Sequence, residues 1–261
     1  MSPDITYTKH ERFAWLRLNR PEKGNRLTPA MAEDLATACE AVENDDEVEL
    51  LLLSGQGDTF CTGLEYRGSP DKQTGTAAHI IREQFGSLRC VALLGAMTKP
   101  TIAVLNGDAT GIGLELALAC DLRLAKAGAQ FGLPHVAEGL IPFCGGTQRL
   151  PRIIGQSRAL ELILTGKQID ATEAHLIGLV TEVIEPDHFA TRVDEVLTGL
   201  LGKGPIALRL GKEAVLKAMD LTLEQGVRLE EDLYVLLQTT HDRAEGVQAF
   251  LEKRKPVFSG N

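Results

Sequence analysis

Two side chains have the types and the surroundings for proton transfer. Glu115 lies in GIGLELALA (Gly111–Ala119), where a glycine-studded turn meets an apolar run. A carboxyl among Leu114, Leu116 and Leu118 is expected to be desolvated and raised in pKa, which suits acid–base work. The plainer reading is a helix-start glutamate favoured by the macrodipole. His135 follows twenty residues later, after Phe131, Gly132, Leu133 and Pro134. Imidazole gives or takes a proton near neutral pH. Glycines 107, 111 and 113 let the backbone turn sharply and approach a ligand. Free N–H groups at a helix start favour developing negative charge. The combination points to enolate or oxyanion chemistry. Glu138 is a lesser candidate, because turn glutamates are usually solvated.

These groups need a scaffold of short strands and helices. Phe13 to Leu18 alternates like a strand, and Thr28 followed by Pro29 marks a helix start, with helical spacing on to Val42. Val48 to Ser54 reads as a strand buried on both faces. Further strands are expected at Thr101 to Leu105, at Leu122 to Ala125 and near Gln130, and the site helix is expected to begin around Leu114. This alternation suggests right-handed strand–helix units around a largely buried sheet, an α/β fold. Periodicity alone leaves a spiral and a doubly wound sheet both open. Gly68 to Gly75 is the candidate for a mobile loop near a site. Helices are expected over Pro205 to Met219, Leu223 to Thr239 and Ala244 to Lys253.

With 261 residues, 44% hydrophobic and 24% charged, the chain can bury a substantial core. A net charge of −9 disfavours nucleic acid and anionic membrane surfaces as partners. No apolar run reaches membrane-spanning length. Cys39, Cys61, Cys90, Cys120 and Cys144 are odd in number and lack metal-ligand spacing. They are expected to be small apolar fillers in a cytoplasmic protein without a metal.

The chain resembles the crotonase superfamily, the enoyl-CoA hydratase/isomerase fold. The likeness rests on Asn19–Pro29, Ser54–Tyr66, Lys99–Leu124, Phe131–Pro151, Leu164–Val180 and Glu245–Phe258, in that order and over nearly the whole chain. It implies a spiral of ββα units over residues 1–200. A helical region, 201–261, would then pack homotrimers or hexamers and cover the site. It implies an acyl-CoA substrate, with CoA arriving as part of that substrate and no further cofactor. Two backbone N–H groups, those of Thr62 and Ile112, would hold the thioester oxygen. A β-branched Ile112 would be strained if its φ were positive. Glu115 would position or deprotonate water, and His135 would move the α-carbon proton. Gly63, Leu64, Tyr66, Gly111, Pro134 and Phe143 would line the substrate.

His135 stands where the hydratases carry a second glutamate. The superfamily's β-diketone hydrolases resemble the chain in having a histidine there, with an aspartate nine residues on where this chain has Cys144. C–C hydrolysis or decarboxylation of a β-keto or carboxylated acyl-CoA is thus one alternative to hydration or isomerisation. A non-catalytic trimeric scaffold is the other. Arg26 and Lys253–Arg254–Lys255 are weaker candidates for CoA phosphate contacts.

Overall fold

The computed structural model describes residues 2–65 and 89–261. Strands β1 (Ile5–Lys9), β2 (Phe13–Leu18), β3 (Leu50–Gly55) and β4 (Thr59–Cys61) surround helix α1 (Pro29–Glu43) in sequence. The Thr28 hydroxyl accepts the Met31 N–H and Pro29 occupies the first turn, as the sequence predicts. Helix α2 runs through 89–96. Strands β5 (Thr101–Leu105) and β6 (Asp108–Thr110) lead into α3 (Ile112–Ala119), followed by β7 (Leu122–Lys126) and β8 (Gln130–Gly132). After a 3₁₀ turn at Pro134–Glu138 come α4 (Gly146–Ile154), α5 (Gln156–Thr165), β9 (Gln168–Asp170), α6 (Ala171–Leu176) and β10 (Glu182–Ile184).

The strands form two sheets. One has the order β1-β2-β3-β5-β7-β10, the other β4-β6-β8-β9. Pairing is parallel except at β1–β2 and β8–β9. Consecutive strands β3 and β4, β5 and β6, β7 and β8 each send the first member to one sheet and the second to the other. A helix then returns the chain. This is the spiral of ββα units that the resemblance implies. Every residue of β3 and of β5 is buried, which explains their unbroken apolar sequence.

Side-chain amides fasten the turns between sheets. Asn106 accepts the Gly55 N–H at 2.9 Å and donates to the Gly57 carbonyl at 2.7 Å. Asn25, in the left-handed region at φ 53°, donates to the carbonyls of Gln56 and Thr59 at 3.0 and 2.7 Å. The segment 20–27 is thereby held beside the β3–β4 turn.

The chain divides into two compact units. The first comprises Met1–Met97 and Thr101–Phe189, and the second comprises Thr98–Pro100 and Ala190–Asn261. The second contains most of α7 (Phe189–Leu201), with α8 (Pro205–Lys217), α9 (Leu223–Gln238) and α10 (His241–Glu252). Within it, the buried Asp242 carboxylate accepts the N–H groups of Ser259 at 2.7 Å and Gly260 at 3.0 Å. Helix α9 starts with a capping box between Thr222 and Gln225 and has no buried residue. Among the described residues no helix is long and apolar enough to cross a membrane. The five cysteines are free and buried.

Candidate active site

Helix α3 carries the carboxyl. All eight of its residues are buried, so Glu115 is enclosed with no exposed surface. Such a helix tolerates one polar side chain only if partners reach it. Two do: the N–H groups of Cys144 and Gly146 each donate to Oε1 at 2.8 Å. Gly146 opens α4, so the carboxyl sits at the positive end of that helix. The other oxygen, Oε2, has no hydrogen-bond partner among the described residues. Burial pushes the Glu115 pKa up from 4.5 to about 7, against the lowering pull of the Gly146 and Cys144 amides and the Arg149 charge.

His135 sits in the 3₁₀ turn and is also buried, at 8% exposure. Its Nε2 lies 3.7 Å from Glu115 Oε2. Among the described residues its buried Nδ1 has no well-formed hydrogen bond, although the Leu133 carbonyl acts on the ring. The Phe143 ring stands edge-on to it, with centroids 6.3 Å apart. Burial lowers the His135 pKa, opposed by Glu138 and the Leu133 carbonyl. The two groups are close enough for an ion pair, yet burial moves their pKa values in the directions that disfavour both charges. Near neutral pH the imidazole is uncharged and the carboxyl, with its pKa near 7, is divided between its protonated and ionised forms.

A cavity of about 160 Å³ opens beside His135, with the fully buried Glu115 behind the imidazole rather than in the lining. Arg26, Thr62, Gly63, Leu64, Thr110, Gly111, Ile112, Pro134, His135 and Glu138 line it. Gly63 and Gly111 lie side by side in its lining: a Cβ on Gly111 would lie 3.7 Å from Gly63 Cα. Both have positive φ, 125° and 56°, which glycine adopts without strain. Gly111 thus absorbs the turn, and Ile112 is an ordinary first helical residue. The strain considered for Ile112 does not arise. As the opening residue of α3, Ile112 presents an N–H with no intrahelical acceptor.

One expectation needs correction. The Thr62 N–H donates to the Gly24 carbonyl at 3.0 Å, and the Thr62 hydroxyl donates to the same oxygen at 3.0 Å. That amide is already engaged and turned away from the cavity. On either side of Leu64, the Gly63 carbonyl accepts the Leu27 N–H and the Glu65 N–H donates to the Leu27 carbonyl, both at 2.9 Å. Alternate groups of extended backbone point to opposite sides. The Leu64 N–H consequently points away from Leu27, and no acceptor for it is found among the described residues.

The structure thus brings Glu115, His135, Ile112, Gly63, Leu64, Gly111 and Pro134 together, with Phe143 against the imidazole. Tyr66, Arg67 and the Gly68–Gly75 stretch lie outside the described residues. Sequence reasoning missed the Cys144 and Gly146 amides. The signal was the Gly145–Gly146 pair opening a helix: a Cβ on Gly146 would come within 2.9 Å of Glu115 Oε1. Among the described residues no group of three His, Cys, Asp or Glu side chains is placed to hold a metal ion.

Comparison with known proteins bears on this geometry. The model of the enoyl-CoA hydratase/isomerase family matches residues 8–261. The chain belongs to this family. Within the family it is 39% identical to a crotonyl-CoA hydratase of Syntrophomonas wolfei, with 98% of this chain and 97% of the relative covered. It is 37% identical to an (E)-benzylidenesuccinyl-CoA hydratase of Thauera aromatica, over 98% of this chain and 99% of the other. The crystal structure of an enoyl-CoA hydratase from Bacillus anthracis superposes with a TM-score of 0.93 at 34% identity, covering 99% of this chain and all of that one.

Proposed function

We propose that the protein adds water across the conjugated double bond of an enoyl-CoA, through a thioester enolate. The observation that carries this reading is the opposition of Glu115 Oε2 and His135 Nε2 at 3.7 Å, with His135 lining the glycine-flanked cavity. An oxygen at ordinary hydrogen-bond distance from each atom spans such a gap. The N–H groups of Leu64 and Ile112 would polarise the thioester carbonyl, with Leu64 taking the place expected for Thr62. Each such donor is worth about 3–4 kcal/mol in other enzymes.

The charge states suggest the division of labour. With the ring proton on Nδ1, neutral His135 accepts the water proton at Nε2 as the water oxygen bonds to C3. The protonated Glu115 delivers its proton to C2, discharging the enolate. The resulting imidazolium and carboxylate are adjacent, and the proton returns from Nε2 to Oε2. This reverses the roles expected from sequence, because burial raises the Glu115 pKa to about 7 and so leaves a substantial share of the carboxyl protonated near neutral pH.

Among the described residues no carboxylate hydrogen-bonds the His135 Nδ1 as a C–C hydrolase's orienting aspartate would, and the expected aspartate position is Cys144. We read self-association from α9, which buries nothing and exposes Leu223, Val227, Tyr234, Val235 and Leu236. Light scattering at micromolar concentration is expected to show a trimer or a dimer of trimers, and a monomer would overturn it. The functional test is purified protein against enoyl-, 3-hydroxyacyl- and β-ketoacyl-CoAs with product mass analysis. Gain of one water by an enoyl-CoA is the expected result. Cleavage of a β-ketoacyl-CoA, or no turnover of any ester, would overturn hydration.

A further inference from the structure

Arg149 projects from α4 and is half-buried, yet no carboxylate pairs with it among the described residues. An unpaired cation in such a place is costly unless hydrogen bonds hold it. Its Nη1 donates to the Cys144 carbonyl at 3.0 Å. The guanidinium lies across two glycines. A Cβ on Gly95 would come within 2.5 Å of Nη2, and one on Gly145 would collide with Nη1. The residue it grips by the carbonyl is the one whose N–H grips Glu115.

We infer that Arg149 is a positioning residue for Glu115, clamping the Cys144–Gly146 turn whose two amides hold the carboxyl. The inference rests on the reading that Glu115 handles a proton in turnover. Arg149 fixes Cys144 from one end, so Oε1 stays engaged and Oε2 stays aimed at His135. Its charge also favours the carboxylate form of Glu115, limiting the rise that burial causes. The other titratable groups at hand are His135, from the 3₁₀ turn, and the thiols of Cys144 and Cys120. Burial raises the Cys144 thiol and lowers His135, so neither carries charge near neutrality. Arg149 is then the fixed charge that the Glu115 proton responds to.

The experiment follows Glu115 directly, by carboxyl NMR on protein with isotope-labelled glutamate. The resonance that vanishes in Glu115→Gln gives the assignment. In Arg149→Met the Glu115 midpoint is expected to rise by about one pH unit. Crotonyl-CoA hydration is expected to fall about tenfold in kcat with KM unchanged, its alkaline limb moving up with the midpoint. Arg149→Lys restores the charge without the planar fork. Its midpoint should return toward wild type while kcat stays low. A Glu115 midpoint unmoved in both variants overturns the inference. If Arg149→Met does not fold, wild-type kcat in Arg149→Lys overturns it instead. A shifted midpoint in a protein that never hydrates crotonyl-CoA would uphold the Arg149–Glu115 coupling and sink the hydratase reading alone.

Discussion

Glu115 projects from a helix with no exposed residue, and its Oε1 takes two backbone N–H groups. His135 projects from a single 3₁₀ turn, and its Nδ1 takes none. The same burial acts on both, raising the acid and lowering the base. Only for Glu115 do two amide donors and a neighbouring cation oppose the shift. The carboxyl is built into the interior by its neighbours. The imidazole is confined by the Phe143 edge, the turn that carries it and the Leu133 carbonyl. A group fixed by two backbone donors has one geometry, whereas a group held mainly by packing can be exchanged with less disturbance.

Replacing the built-in member should have the largest effect. Glu115→Gln keeps the shape that accepts both amides and removes the proton. Turnover of the best enoyl-CoA should fall by roughly 10²–10⁴ with KM little changed, and near-wild-type turnover would remove Glu115 from the mechanism. The same variant should be more stable than wild type in alkaline buffer. The folded protein holds the Glu115 proton to about pH 7, while the unfolded chain releases it near 4.5. Wild-type stability is therefore intact below about pH 4.5 and declines as pH rises toward about 7, by roughly 3 kcal/mol in all. Urea melts of both proteins at acid and alkaline pH should show the gap opening only at the alkaline end.

Replacing the loosely held member should cost less. His135→Gln should lower kcat by about 10² and erase the acid limb of the pH profile. Wild-type kcat should fall as pH drops through the imidazole pKa, which burial places below the ordinary 6.5, because imidazolium has no lone pair for the water proton. An unchanged rate and profile would make His135 structural.

Gly146→Ala would loosen the built-in member and so erode the contrast. The new Cβ would sit 2.8 Å from Pro142 Cβ and 2.9 Å from Glu115 Oε1. A loss of about 1–3 kcal/mol in stability and roughly tenfold in kcat is expected. A crystal structure with both amides still on Oε1 would show that the turn absorbs the methyl.

The same contrast marks how far the sequence could be read. Glu115 and His135 were legible because their neighbours in sequence are apolar or turn-forming. So were α1, β5 and the helices α8, α9 and α10, each of which carries its own cap or run, whereas α7 was not anticipated. Strands β4, β6 and β9 have three residues each, too few to show a period of two. The choice of Leu64 over Thr62 was beyond reach, since both flank the same glycine. Which amide faces the cavity depends on the pairing with Leu27, a contact thirty-seven residues away in sequence. The Cys144 and Gly146 donors were hidden for the same reason: a main-chain group leaves no trace in residue type.

Ile112 joins two roles in one residue. It lines the cavity as the first residue of α3, with an N–H that has no intrahelical acceptor, while its side chain is buried in the main hydrophobic cluster. No flexible connector lies between them. The compliance of that amide is therefore the compliance of the protein interior, and a change in packing several ångströms away becomes a change in where the amide points.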